Sequence, residues 1–132
     1  MPRFVILAHD RPFLHWDFLL ENGDGCRAWR LLADPDSMTN DIPAEALPDH
    51  RLMYLNFEGP IGGGRGTVTQ WDTGTFEWNV NRPEVCEVIL AGRRWIGSVR
   101  LEQINNQMWT CHHRLEITVL SPRPGSAGRG LG

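Results

Sequence analysis

Between residues 14 and 21 apolar and polar side chains alternate strictly. Leu14, Trp16, Phe18 and Leu20 take one parity, and His15, Asp17 and Glu21 take the other. That period of two predicts a strand with one buried face and one chemically available face. Upstream, Arg3 to Ala8 is a short apolar run that predicts a buried first strand, broken by Asp10-Arg11-Pro12 and leaving His9 at the strand end. Asn22-Gly23-Asp24-Gly25 is a turn signal, so residues 14 to 32 read as a hairpin. The polar, proline-bearing stretch Asp34 to Pro48 reads as a connecting loop, with room for one helical turn over Pro43 to Leu47.

Arg51 to Phe57 alternates again, with apolar groups on both parities, and Gly59 to Gly66 predicts a long flexible turn. Gly66 to Asp72 and Thr75 to Val80 read as a hairpin about Thr73-Gly74. Val85 to Leu90, Arg94 to Glu102 and Met108 to Leu120 read as further strands. Many short strands with almost no helical periodicity predict an all-β fold, a closed or partly open β-barrel with little helix. One domain over residues 1 to 120 is expected. The Gly/Pro/Ser-rich stretch 121 to 132 is expected to be a disordered tail.

Composition narrows the class. A chain of 132 residues with 41% apolar residues is long enough for one buried core. It carries no apolar run of membrane-spanning length and no secretory signal, so a soluble, cytoplasmic protein is expected. Cys26, Cys86 and Cys111 include no C-x-x-C pair, which argues for reduced, half-buried thiols over a disulfide framework or a zinc-cysteine site. A formal charge of −3 argues against a protein that coats nucleic acid nonspecifically, so any such contact should be local.

His15 and Asp17 share a parity and project side by side, and His9 shares it from the preceding strand end. Two imidazoles and a carboxylate make a three-ligand set for a divalent transition metal, with positions left for water or substrate. The plainer alternative is a histidine hydrogen-bonded to a carboxylate on a wet face. Asp10 and Glu21 are candidates to orient the ligand histidines from behind, or are ordinary surface carboxylates. Gly62-Gly63-Gly64-Arg65-Gly66 lacks the Gly-Lys-Ser/Thr ending of a nucleotide-binding loop, although its amides suit a phosphate. His112 and His113 read as structural.

The segments Phe4 to Asp10, Leu14 to Glu21, Asp49-His50 with Tyr54, Phe57-Glu58-Gly59, Gly66-Thr67-Val68 and Trp71 to Thr75 together resemble the 3′-phosphoesterase domain of bacterial DNA ligase D. The resemblance covers about residues 3 to 80. It implies that His9, His15 and Asp17 hold manganese, that His50 contacts the scissile phosphate, and that Tyr54 is a site residue. The family arginine that grips phosphate is replaced here by Leu19, a loss worth roughly 100-fold or more in rate. Arg65 or Arg11 would have to supply that charge.

The implied activity is metal-dependent removal of a 3′-terminal ribonucleotide and then a 3′-phosphate from DNA, leaving a 3′-hydroxyl for end-joining repair. DNA 3′ ends are the expected partner, and ligase, polymerase and end-binding modules would be separate proteins. Two other classes stay open: a catalytically impaired DNA-end or protein binding module, and a mononuclear iron oxygenase built on two histidines and a carboxylate.

Overall fold

The computed structural model describes residues 1–37 and 40–115. The fold is all-β, as the pattern predicted. Nine strands follow in order: β1 (Arg3–His9), β2 (His15–Asn22), β3 (Gly25–Leu31), β4 (Asp41–Arg51), β5 (Gly59–Pro60), β6 (Thr67–Arg82), β7 (Val85–Gly92), β8 (Ile96–Gln103) and β9 (Trp109–Leu115). Among the described residues one short 3-10 helix, Leu52–Leu55, interrupts them. All pairings are antiparallel, in the order β1-β2-β3-β4-β9-β8-β7-β6, and β1 also pairs β6, so eight strands close a ring while β5 adds to β6. Closure leaves unpaired edge mainly along the far half of β4.

The ring interior holds the main core, with Phe4, Phe18, Trp29, Phe76 and Trp95 among its fully buried rings. Phe18 meets Phe4 and Trp95 edge-on at centroid distances of 6.1 and 5.9 Å, the offset geometry that aromatic quadrupoles favour. A second apolar cluster lies on the outside of β1 to β3. It contains Val5, Leu7, Leu19, Cys26, Ala28, Leu55 and Val68. The segment 52–61 covers it with Leu55, Tyr54, Phe57 and Ile61, and Arg3 pins that cover through Asn56 Oδ1 at 2.7 Å and Leu55 O at 3.3 Å. This cover explains why β1 reads as an unbroken apolar run: both faces of the strand are buried.

Several expectations are corrected. Asp41–Arg51 is a strand, not a loop with a helical turn. Its Pro48 is accommodated because β9 pairs only with residues 41 to 44, leaving the far half of β4 without a partner on that side. Leu52–Leu55 is helical, not strand. Thr73-Gly74 is not a turn, since β6 runs through it for sixteen residues. The strand passes between partners there, pairing β1 up to Thr75 and β7 from Gly74 onward, and a Cβ on Gly74 would clash with the Ala91 carbonyl. The glycine marks a close strand approach. The cysteines are fully buried, not half-buried. Residues 116 to 132, which include the expected tail and the end of the last predicted strand, lie outside the described residues.

Candidate metal centre on the outer face

β1 and β2 place His9 directly opposite His15, and Leu7 opposite Asp17. The parity argument holds for the outer side of β2, but that side is not open. His15 is 1% exposed and Asp17 5%. One ligand atom from each of His9, His15 and Asp17 lies within 4.8 Å of the others.

Both imidazoles are held by carbonyls. His15 Nδ1–H donates to Phe13 O at 2.8 Å, and His9 Nε2–H donates to Arg65 O at 2.8 Å. A carbonyl only accepts, so each neutral ring keeps its lone pair on the other nitrogen. Those nitrogens face Asp17: His9 Nδ1 is 3.1 Å from Oδ2, and His15 Nε2 is 3.1 Å from Oδ1. A protonated His9 would satisfy both of its contacts. His15 Nε2 and Asp17 Oδ1 stand at ion-pair distance without the geometry of a hydrogen bond, and both atoms are sealed from solvent.

Two unsatisfied buried acceptors aimed at one point are costly as they stand and become favourable around a cation. The donor set, two imidazoles and a carboxylate with their orientations fixed from behind, suits a divalent transition ion. The residues fit the group that the resemblance implies.

A pocket of about 260 Å³ opens beside the trio, and His9, Asp17, Asp49, His50, Tyr54 and Arg65 are among its walls. His50 reaches it through an irregularity in β4. Ala28 pairs Leu47 and Cys26 pairs His50, so two steps along β3 match three along β4. The extra residue turns His50 onto the outer face, a common use of a bulge near a site. Its Nδ1–H then donates to Pro48 O at 2.9 Å, leaving the Nε2 lone pair, and Tyr54 lies edge-on at a centroid distance of 5.9 Å.

The remaining candidates fall elsewhere. Asp10 touches neither histidine through its hydrogen bonds: its Oδ1 accepts from Thr67 N at 2.8 Å and locks the 59–66 turn against β1. Gly66 adopts φ +91° in that lock, and a Cβ there would sit 2.3 Å from the same carboxylate oxygen. The turn is therefore held in place, by this contact and by Ile61 N donating to Gly66 O at 2.7 Å. Glu21 is four residues beyond Asp17, about 13 Å along the strand, and accepts from Arg3 N at 2.8 Å.

Leu19 shares the outer face but is 0% exposed, inside the outer apolar cluster. Arg65 lines the pocket, with Nε donating to Gly62 O at 2.8 Å, while Arg11 lines a neighbouring cleft. His112 pairs with Asp41 at 2.6 Å, and His113 is buried beside Trp95, both on β9 across the ring from the trio.

The thiols offer no nucleophile. Burial, reinforced by Glu21 and Asp49, pushes Cys26 up to about 11, and burial pushes Cys86 to about 11 and Cys111 higher still. At neutral pH all three stay protonated and inert. Arg30 was missed from the sequence. It pairs with Asp17 across β2 and β3, and the hairpin register exposes it: the pair Asn22 and Gly25 sums to 47, as do 17 and 30.

Residues 7–116 match the family model described as the DNA Ligase D 3′-phosphoesterase domain. The chain is also similar to the multifunctional non-homologous end joining protein LigD of Pseudomonas aeruginosa, with 33% identity over 79 residues, 56% of this chain and 9% of that protein. It thus spans under a tenth of the length of that relative. A match over most of the chain, with the trio and its pocket inside it, means that this chain belongs to the DNA ligase D 3′-phosphoesterase domain family.

Proposed function

We propose that this chain hydrolyses phosphoesters at the 3′ ends of DNA, removing a terminal ribonucleotide or phosphate for end-joining repair, with a divalent ion, most simply manganese, held by His9, His15 and Asp17. The observation that carries the reading is the pair of buried, unsatisfied acceptors on His15 and Asp17, which share a site with His9, itself a wall of the pocket that contains His50 and Tyr54. The bound ion would polarise a phosphoryl oxygen and acidify a water.

Phe13 O and Arg65 O hold the two imidazoles in the tautomers that keep their lone pairs on the trio. His50 is fixed through Pro48 O and lines the pocket; in its imidazolium form, with a proton also on Nε2, it would neutralise charge on the phosphoryl group or hand that proton to the leaving sugar oxygen. Tyr54 orients that ring and offers a hydroxyl. Arg65, which lines the same pocket, supplies positive charge toward phosphate.

The test is release of phosphate from a primer-template carrying a 3′-phosphate, with manganese present. Hydrolysis should vanish in His15→Ala and fall about 100-fold in His50→Ala with metal affinity retained. Turnover that ignores His15→Ala rejects the assignment. Metal and duplex binding without turnover would make the chain a binding module on the same fold.

A further inference from the structure

A second cleft, about 370 Å³ in volume, lies on the other side of His9 and Arg65, which line both cavities. Its walls are His9, Arg11, Pro12, Arg30, Gly64 and Arg65. Three arginines thus line one space whose lining contains no carboxylate, in a chain whose formal charge is −3.

Arg30 is the unusual member. It stands beside Asp17 on the outer face of β3, three-quarters buried, yet its charge is poorly satisfied. Glu45 Oε1 is 3.9 Å from Nη1, too far for a hydrogen bond, and Nε is sealed from solvent with no partner. Its side chain is held instead by stacking: Cζ lies 5.5 Å from the ring centre of Phe13, and that ring sits edge-on to His15 at 5.6 Å. Phe13 itself is 52% exposed. An arginine whose Cζ is held over an aromatic ring, with two further arginines lining the same cleft, is organised for a bidentate oxyanion. The exposed ring next to it suits the face of a base.

We propose that this cleft is a phosphodiester subsite anchored by Arg30, which takes the backbone phosphate adjacent to the terminal nucleotide while Phe13 stacks on a base. The proposal rests on the phosphoesterase reading in one respect only: it makes the ligand a nucleic-acid strand whose end lies in the neighbouring pocket. The cleft then sets where along a strand the enzyme stops, because the strand is held on one side of His9 and the end is presented on the other.

The experiment is fluorescence anisotropy of a labelled primer-template bearing a 3′-phosphate, titrated in chelator so that neither metal nor turnover contributes, over a series of salt concentrations. Arg30→Ala should weaken binding about tenfold, the weight of one charged hydrogen-bonding contact. It should also flatten the log–log salt dependence by about 0.7 to 0.9, the counterion released by one phosphate. Arg30→Lys should keep the slope and recover only part of the affinity, since an ammonium cannot grip two oxygens.

Affinity and slope unchanged in folded Arg30→Ala would overturn the subsite, as would a loss of affinity with the slope intact, which marks a packing role. If Arg30→Ala does not fold, Arg11→Gln reads the same cleft from the loop side, with the same two outcomes. The two readings fail separately. An inactive protein that grips the strand through Arg30 sinks the hydrolase and keeps the cleft. An active one whose affinity for the strand ignores Arg30 sinks only the cleft.

Discussion

Asp17 and Asp72 are both carboxylates buried in one sheet, 5% and 3% exposed, and their surroundings could hardly differ more. Asp72 accepts from four backbone amides: Thr73, Arg93 and Arg94 donate to Oδ1 at 2.8, 2.8 and 3.1 Å, and Trp95 donates to Oδ2 at 2.8 Å. It knots the turn between β7 and β8 to β6, and its charge is satisfied by groups that folding leaves in place. Asp17 meets two imidazoles whose other ring nitrogens are bound to carbonyls, so when both rings are neutral what faces it is lone pairs. One carboxylate is complete as folded, and the other, on the proposed reading, would be completed by a cation.

The contrast predicts opposite responses to mutation. The largest effect is expected at the satisfied group. Asp72→Ala strands four buried or half-buried amides and should cost about 4 kcal/mol or more of unfolding free energy in urea. A loss under about 1 kcal/mol would break the comparison at its structural end.

Next in size is the stabilisation that a bound ion brings. Manganese at a hundred times its dissociation constant should stabilise the wild-type chain by about 2.7 kcal/mol, read as a rise in Tm. Asp17→Asn should erase that rise, while any Asp72 variant that still folds should keep it.

A third kind of buried acid gives the pH dependence. Cys26 and Cys86 titrate near 11 in the fold against 9.0 ordinarily, so above pH 9 the unfolded chain gives up protons that the folded chain retains. Stability from these thiols is complete below pH 9 and drains away as the pH rises toward 11. At pH 10 each should have cost about 1.4 kcal/mol. Replacing Cys26 with Ser should remove its share of the alkaline slope in a urea series from pH 8 to 10.5.

The smallest effect is the most discriminating. In chelator, Asp17→Asn should change stability by less than about 1 kcal/mol, or raise it, because an amide N–H can donate to the His15 lone pair. A loss of the Asp72→Ala size would mean that Asp17 is structural too.

Much of the site was legible in advance because it lies where chain pattern and geometry coincide. The alternation around Trp16 and Phe18 placed His15 and Asp17 on one side of a strand, and the break at Asp10-Arg11-Pro12 put His9 at the end of its neighbour. The alternation could not show that both sides of β2 are covered, since the cover comes from residues 52 to 61, over thirty positions away.

β4 was hidden by its own composition: Asp-Ile-Pro-Ala-Glu-Ala-Leu-Pro-Asp-His-Arg has the prolines and charges of a loop. It forms a strand because Ile42 and Ala44 pack into the interior between β3 and β9. Gly74 has the signature of a turn and the function of a strand crossing, a distinction that depends on Ala91. Asp10 and Glu21 carry the right chemistry at the right distance in sequence, but backbone amides of Thr67 and Arg3 claim them. Arg30 could have been found from the hairpin register alone, by counting from the turn.

The central claim is that His9, His15 and Asp17 close around one cation. Calorimetric titration of chelator-treated protein with manganese tests it most directly. The expected result is one ion bound per chain in the wild type and none in His15→Ala. Binding that survives His15→Ala undiminished, or a wild-type chain that takes up no ion, would contradict it.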